Sequence, residues 1–231
     1  MLNQRAYYPE SLSEKNSIIS DNIKVNTMSQ IIQHKVLSRI YGKGRGWVFT
    51  PNIFLELGSR SAVDKSLQRL EDAGTIRRVA RGLYDYPKRH KKLGILSPQP
   101  DAIARAVSRS DATRLQPSGA YAVNLLGLSQ QVPAKIVYLT DGAEKTVVVG
   151  KQEIRLKRTT PKNMKTAGRV SGVVIQAFRY LKKDSVDSAV IDQLCRTLSD
   201  ADKAQLWNDR VYAPAWMHSH FQAITQNGNM D

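Results

Sequence analysis

Apolar residues recur along this chain first at helical and then at strand spacing. Met28, Ile32, Val36 and Ile40 stand four apart, and Ile31 and Leu37 widen the stripe, which predicts a helix from about Thr27 to Tyr41. Gly42, Gly44 and Gly46 end it, and Trp47, Val48 and Phe49 read as a short strand. Thr50 has the form of an N-cap with Pro51 at the first helical position. Ile53, Phe54 and Leu57 then make the buried side of a short second helix that Gly58 stops. Ser61 with Asp64 three residues on resembles a capping box, Val63, Leu67 and Leu70 form a core stripe, and Gly74 terminates this third helix. Thr75–Ala80 and Leu83–Tyr86 read as strands joined at Arg81-Gly82, where glycine allows a tight hairpin turn. Ile76 and Val79 break strict alternation, so a bulge or an edge position is expected.

Two prolines in LGILSPQP, residues 93–100, mark a boundary. Beyond it, Asp101–Ser108 and Ser118–Leu126 read as helices. Lys135–Thr140, Lys145–Val149 and Gln152–Arg158 read as strands, with Asp141-Gly142 turning the first into the second and Gly150 separating the next pair. Helical patterns follow at about Ala167–Leu181, Ser185–Thr197, Ala201–Arg210 and Trp216–Ile224. The fold class expected is α+β: an N-terminal winged helix-turn-helix over 27–92, and a C-terminal α+β domain over 93–231 with a small antiparallel sheet and packed helices. Residues 1–26 are polar and weakly patterned and read as a flexible tail.

Charge gives the first module a direction. The 231 residues carry a formal net charge of +15, an excess that favours a polyanionic partner. Residues 1–92 hold 17 basic and 8 acidic side chains, and residues 76–92 hold seven basic against the single acid Asp85. At 100° per residue, Ser61, Lys65, Gln68, Arg69 and Asp72 lie opposite the stripe of the third helix. Alone, such a face is an ordinary solvated one. Between a helical turn and a cationic hairpin it suits a DNA major groove. The expected DNA-binding set is Ser59, Arg60, Ser61, Lys65, Gln68 and Arg69 on or before that helix, Arg77, Arg78 and Arg81 on the hairpin, and Lys43 and Arg45 on the preceding loop. Of these, Ser61, Lys65, Gln68 and Arg69 approach base edges, and the hairpin arginines hold phosphates or enter the minor groove. Lys88, Arg89, Lys91 and Lys92 add backbone attraction.

Charge is also segregated in the second part. Residues 135–183 carry 12 basic and 3 acidic side chains, and residues 184–209 carry 2 and 6. The basic region could hold RNA by backbone contacts, although Tyr138, Phe178 and Tyr180 are its whole aromatic set. Two separate partners, or patches that merely stabilise each other, fit the same segregation.

Signals for catalysis are weak, and no enzyme, cofactor or metal is expected. His218 and His220 are spaced to hold a metal on a strand but lie in a helix-like stretch. Gly58-Ser59 and Asp200-x-Asp202 have the composition of nucleotidyltransferase elements but are separated by most of the chain. The one cysteine, Cys195, sits in an apolar helical pattern as a buried small hydrophobe. No apolar run approaches the length of a membrane span and no signal-peptide core is present, so a cytoplasmic place and no membrane partner are expected.

The stretch from Gly58 through the hairpin, followed by PSGAYAVNLLGLSQQVPAKIVYLTDG, resembles the AbiEi-type antitoxin family over roughly residues 27–180. The second stretch couples a helix ending in Leu-Gly-Leu to Gln-Gln-Val-Pro and then to a strand. The resemblance implies an antitoxin of a type IV toxin–antitoxin system. Its N-terminal winged helix-turn-helix would bind inverted repeats in its own promoter as an autorepressor. Its C-terminal domain would oppose a toxin of the nucleotidyltransferase class, directly or indirectly. Inverted repeats take two modules, hence a homodimer on double-stranded DNA. A winged-helix transcriptional regulator with no toxin partner is the alternative.

Overall fold

The computed structural model describes residues 30–108 and 113–226. The tail read over residues 1–26, the helix start at Thr27 with Met28, and the last five residues lie outside the described residues. The fold is α+β.

Residues 30–43 are helical (α1) and bury Ile32, Val36 and Ile40. The chain continues through β1 (Val48–Phe49), a 3-10 turn (Pro51–Leu57), α2 (Arg60–Asp72), β2 (Arg77–Ala80) and β3 (Leu83–Asp85). The strands form an antiparallel sheet in the order β1-β3-β2, with a register shift between Arg78 and Ala80 where broken alternation predicts a bulge. Phe49, Phe54, Val63, Leu67, Leu70 and Ile76 close the core over α1. Phe49 meets Phe54 edge-on at 5.5 Å and stacks on Tyr84 at 6.1 Å. The second helix departs from expectation. It is a 3-10 turn, and Thr50 makes no side-chain cap bond. Three residues per turn align Pro51, Phe54 and Leu57, so Ile53 turns outward and is 38% exposed. Ile31 also points outward, at 46% exposure. Gly58 lets the turn close on α1, since a Cβ there would stand 2.7 Å from Ile32 Cδ1.

A second small hairpin follows, β4 (Arg89–His90) with β5 (Gly94–Ile95). Then come α3 (Pro100–Ser108), β6 (Leu115–Ser118), α4 (Ala120–Leu125), β7 (Lys135–Thr140), β8 (Lys145–Val149) and β9 (Gln152–Arg158). The last helices are α5 (Val170–Leu181), α6 (Ser188–Thr197), α7 (Asp200–Asn208) and α8 (His218–Gln226). The larger sheet has the order β6-β7-β9-β8. β7 and β8 are therefore not hairpin partners across Asp141-Gly142. β9 returns from its hairpin with β8 at Gly150 and enters between them, parallel to β7. Register explains the insertion, because Ile154 and Leu156 lie beside Ile136 and Tyr138 and all four are buried on one face. The strand β6 takes the start of the helix expected from Ser118; Pro117 is tolerated because β6 is an edge.

Among the described residues, three apolar clusters run through the fold. The middle one joins Val48 and Leu83 of the first module to Ile103, Ala104 and Val107 of α3 and to the buried face of the larger sheet. Packing thus continues across the proline-rich stretch at 93–100. Asp101 accepts from the hydroxyls of Tyr138 (2.6 Å) and Tyr121 (3.1 Å), tying α3 to β7 and α4. The third cluster surrounds α5 with α4, α6, α7 and α8. Cys195, half-buried, packs against it. At its edge the buried Asp209 accepts from Arg169 (2.7 Å) and from the Ser171 hydroxyl. α5 lies on β6 through Gly172, whose missing Cβ leaves room for Gln116 Oε1 and the Thr166 carbonyl. No described helix is long and apolar enough to cross a membrane.

Gly172→Ala should therefore destabilise the full chain by about 2 kcal/mol, read as a lower urea midpoint at unchanged slope. A second expectation concerns alkali. Burial, with Asp101 close by, pushes the Tyr121 hydroxyl up to about 12, and burial raises Tyr138 as well. An unfolded tyrosine ionises near 10, so the stabilisation is intact below pH ~10 and is lost as pH rises from there through about 12. Exposed tyrosines such as Tyr41 and Tyr180 ionise with the fold intact, so it is the last rise in tyrosinate absorbance that should coincide with unfolding followed by circular dichroism; all nine tyrosines ionised in a still-folded chain would contradict this.

Candidate nucleic-acid interface

The helix α2 begins because Ser59, extended at φ −61° and ψ 154°, accepts from the Ala62 N–H through its hydroxyl (3.3 Å). The cap is thus Ser59 and not Ser61, two residues earlier than expected. Val63, Ser66, Leu67 and Leu70 are buried, with the Ser66 hydroxyl donating to the Ala62 carbonyl (2.8 Å). Gly74 ends the helix at φ 65°, in the left-handed region. What remains outside is polar: Ser61, Asp64, Lys65, Gln68, Arg69 and Asp72 are all exposed.

Two arginines of the expected set are held along the surface. Arg60 Nε donates to both Asp64 oxygens (3.0 and 2.8 Å), and its Nη1 reaches Asn52 Oδ1 (3.1 Å). Arg69 Nη1 leans toward Gln33 Oε1 of α1 at 3.4 Å, a weak contact at that distance. Lys65 and Gln68 stand between them on the open side.

The hairpin divides its three arginines. Arg77 is turned inward, where its Nη2 and Nε hold the buried Asp85 carboxylate (2.6 and 3.1 Å) and Nη2 also donates to the Leu96 carbonyl (3.1 Å). It is a structural residue, contrary to its expected role on phosphate: an unpaired carboxylate at Asp85 would be costly. Arg78 points outward, 6.0 Å from the Tyr84 ring centre. Burial raises the Tyr84 hydroxyl, which also feels Arg78, Glu71, Asp64 and Arg60; these charges gather where the hairpin meets α2. Arg81 is exposed at the tip, away from that spot. With Thr50, Gly82 and Lys145–Val148 of β8 it lines a cleft of about 300 Å³ between the module and the larger sheet.

The glycine loop carries the remaining expected cations. Lys43 is exposed, whereas Arg45 donates to the Pro87 carbonyl (3.1 Å) and lies 4.7 Å from the Tyr86 ring centre. Gly46, at φ 95°, passes under the Lys88 stem. The loop is thereby joined to the hairpin β4–β5. There His90 Nδ1 accepts the N–H groups of Lys92 and Leu93 (3.2 Å each) and presents Lys91 and Lys92 at an exposed tip. Only the basic run 88–92 was legible in the sequence; the hairpin was not, since two-residue strands carry no period to read.

The weaker catalytic pairings are dispersed. Ser59 caps α2, while Ser199 caps α7 and binds Asp202. His218 Nε2 bonds the Arg210 carbonyl (2.9 Å), and His220 packs edge-on against Phe178 and Trp216. In comparison with known families, residues 35–206 match one described as "Family of unknown function (DUF6088)". No curated protein matches the chain.

Arg77 and Arg78 separate structure from surface. Arg77→Ala should lower stability by about 3 kcal/mol by leaving Asp85 unpaired, and Arg78→Ala should stay within about 0.5 kcal/mol of the parent in chemical denaturation. Equal costs would show that Asp85 does not depend on Arg77.

Proposed function

The chain belongs to the DUF6088 family of unknown function, and on the sequence resemblance and the surface of α2, not on that membership, we propose that it is a cytoplasmic DNA-binding antitoxin of the AbiEi type. On this reading the first module is a winged helix-turn-helix that represses its own operon, and the second part opposes a nucleotidyltransferase-class toxin. The observation that carries the DNA-binding half is the outward side of α2. Ser61, Lys65, Gln68 and Arg69 share one exposed face, and Arg78 stands beside it on the hairpin. Glutamine reads adenine and lysine reads guanine by hydrogen bonds in a major groove. Arg78, Lys43 and the tip Lys91–Lys92 supply sequence-independent attraction to phosphates. The antitoxin half rests on resemblance, in the run from Pro117 to Gly142.

One observation favours the alternative of a regulator without a toxin. The cleft between Arg81-Gly82 and β8 adjoins both the hairpin tip and the larger sheet, so a ligand seated there would touch both parts at once.

The test uses the full chain on its own promoter and on random duplex. Gln68→Ala and Lys65→Ala should each cost about 1–3 kcal/mol on the promoter and little on random DNA. Arg78→Ala should weaken both alike and flatten the salt slope by about 1. Co-expression with the neighbouring gene product then reads growth. Rescue by the parent chain and by Gln68→Ala alike supports an antitoxin whose DNA binding is regulatory. A harmless neighbour leaves the regulator reading.

A further inference from the structure

The larger sheet has a second face that the DNA-binding reading does not use. Its inner face carries Ile136, Tyr138, Ile154 and Leu156 into the middle core. The alternate residues point the other way, and register sets Arg155 beside Val137 and Lys157 beside Leu139, with Thr146 of β8 next to Arg155. α5 covers this outer face at its β6 end, through Gly172 on Gln116. Toward β8 the face is open, and Thr146, Val148 and Lys157 are exposed.

Charge on this face is one-sided. Its acid, Glu153, is taken by Lys135 at 3.1 Å. Beyond that pair the row runs Arg155, Lys157, Thr159, and Thr159 continues the ladder by donating its N–H to the Thr140 carbonyl (3.0 Å). Asn163 Nδ2 donates to the Thr159 hydroxyl (2.8 Å), and Arg179 Nη1 of α5 donates to Asn163 Oδ1 (2.8 Å). A hydrogen-bonded bridge thus leads the Arg179 guanidinium to the end of the row. Among the described residues, the side chains of Arg179, Arg155, Lys157, Lys162 and Lys165 form no ion pair, while Arg158 alternates to the inner side and its N–H donates to Glu144 Oε1 (3.1 Å). Arg179 is half-buried, and desolvation lowers its pKa, so it is a recessed cation that an anion would relieve.

We propose that this outer face, centred on Arg179, Arg155 and Lys157, binds the phosphates of a single-stranded nucleic acid. A guanidinium takes a phosphate bidentately, and a flexible single strand reaches a recessed one more readily than a rigid duplex does. Side chains two apart on a strand stand about 7 Å apart, the scale of successive phosphates along an extended strand. Lys162 and Lys165 carry the cations outward past the row. Base identity matters little here. Of the aromatic residues in this region, Tyr138 and Phe178 are buried and only Tyr180 is exposed, so stacking contributes less than charge.

The experiment measures anisotropy of labelled oligouridylate and oligothymidylate with the full-length protein, alongside the promoter duplex. Lys157→Glu should weaken single-strand binding about tenfold or more and reduce its salt slope by about 0.7 for each phosphate lost. Arg179→Gln should weaken it comparably, Arg179→Lys should restore part of it, and inorganic phosphate should compete. Lys65→Ala should leave single-strand binding intact, so failure of this site and failure of the α2 reading are separable. Thermal melts check the fold, and Lys157, being exposed, gives a variant that does not perturb it. Unchanged oligonucleotide binding in Lys157→Glu and Arg179→Gln overturns the proposal. So does an equal loss on duplex and single strand, or binding of inorganic phosphate alone. Competition by polyglutamate that is lost in the same variants would assign the face to an acidic protein partner instead.

Discussion

Everything about how the two parts of this protein sit together depends on one shared apolar layer. Val48 and Leu83 belong to the first module by sequence, yet they are buried with Ile103, Ala104 and Val107 of α3 and the inner face of the larger sheet. Because β1 and β3 are the strands that contribute them, the hairpin cannot turn independently of that sheet. The Asp85 carboxylate reinforces the junction. It is buried at the end of β3, and the arginine that neutralises it also grips the Leu96 carbonyl, where the chain leaves the module. The boundary expected over residues 93–100 is also where the two parts are tied together.

That junction sorts the basic residues into two kinds. An excess of cations invites the assumption that all of them face a polyanion. Arg77 and Arg169 are committed to the buried carboxylates of Asp85 and Asp209, and Arg39 to Glu56. Arg60 lies along α2 against Asp64. Ion pairs on the surface contribute little to stability, but they fix where a guanidinium points and so remove it from the pool that can meet a ligand. Among the described residues that remain, one group stands beside α2 and another on the outer face of the larger sheet.

Much of this was legible in the sequence, for identifiable reasons. The stripe Val63, Leu67, Leu70 and the hairpin turn at Arg81-Gly82 are local signals, and the structure has α2 and β2–β3 where they predict them. The bulge followed from Ile76 and Val79 for the same reason. Non-local facts were hidden. Strand neighbours are chosen by matching buried side chains across the sheet, so Asp141-Gly142, with its hairpin composition, joins strands that do not touch. The role of Arg77 depends on an acid eight residues away across a strand pair. The bridge from Arg179 through Asn163 to Thr159 spans sixteen residues and then four. Neither leaves a periodic trace.

The late arrival of β9 has a consequence for synthesis. Chains emerge from the ribosome in order, at about 5–20 residues per second. The first module is complete in sequence by Asp85, but the strand that fills the centre of the larger sheet ends only at Arg158. For the several seconds between, Val48 and Leu83 have no finished layer to pack against, and β7 and β8 have no strand between them. The nascent protein therefore carries an uncovered apolar seam until the β8–β9 hairpin closes, and that interval, more than the finished fold, is its window for misassembly.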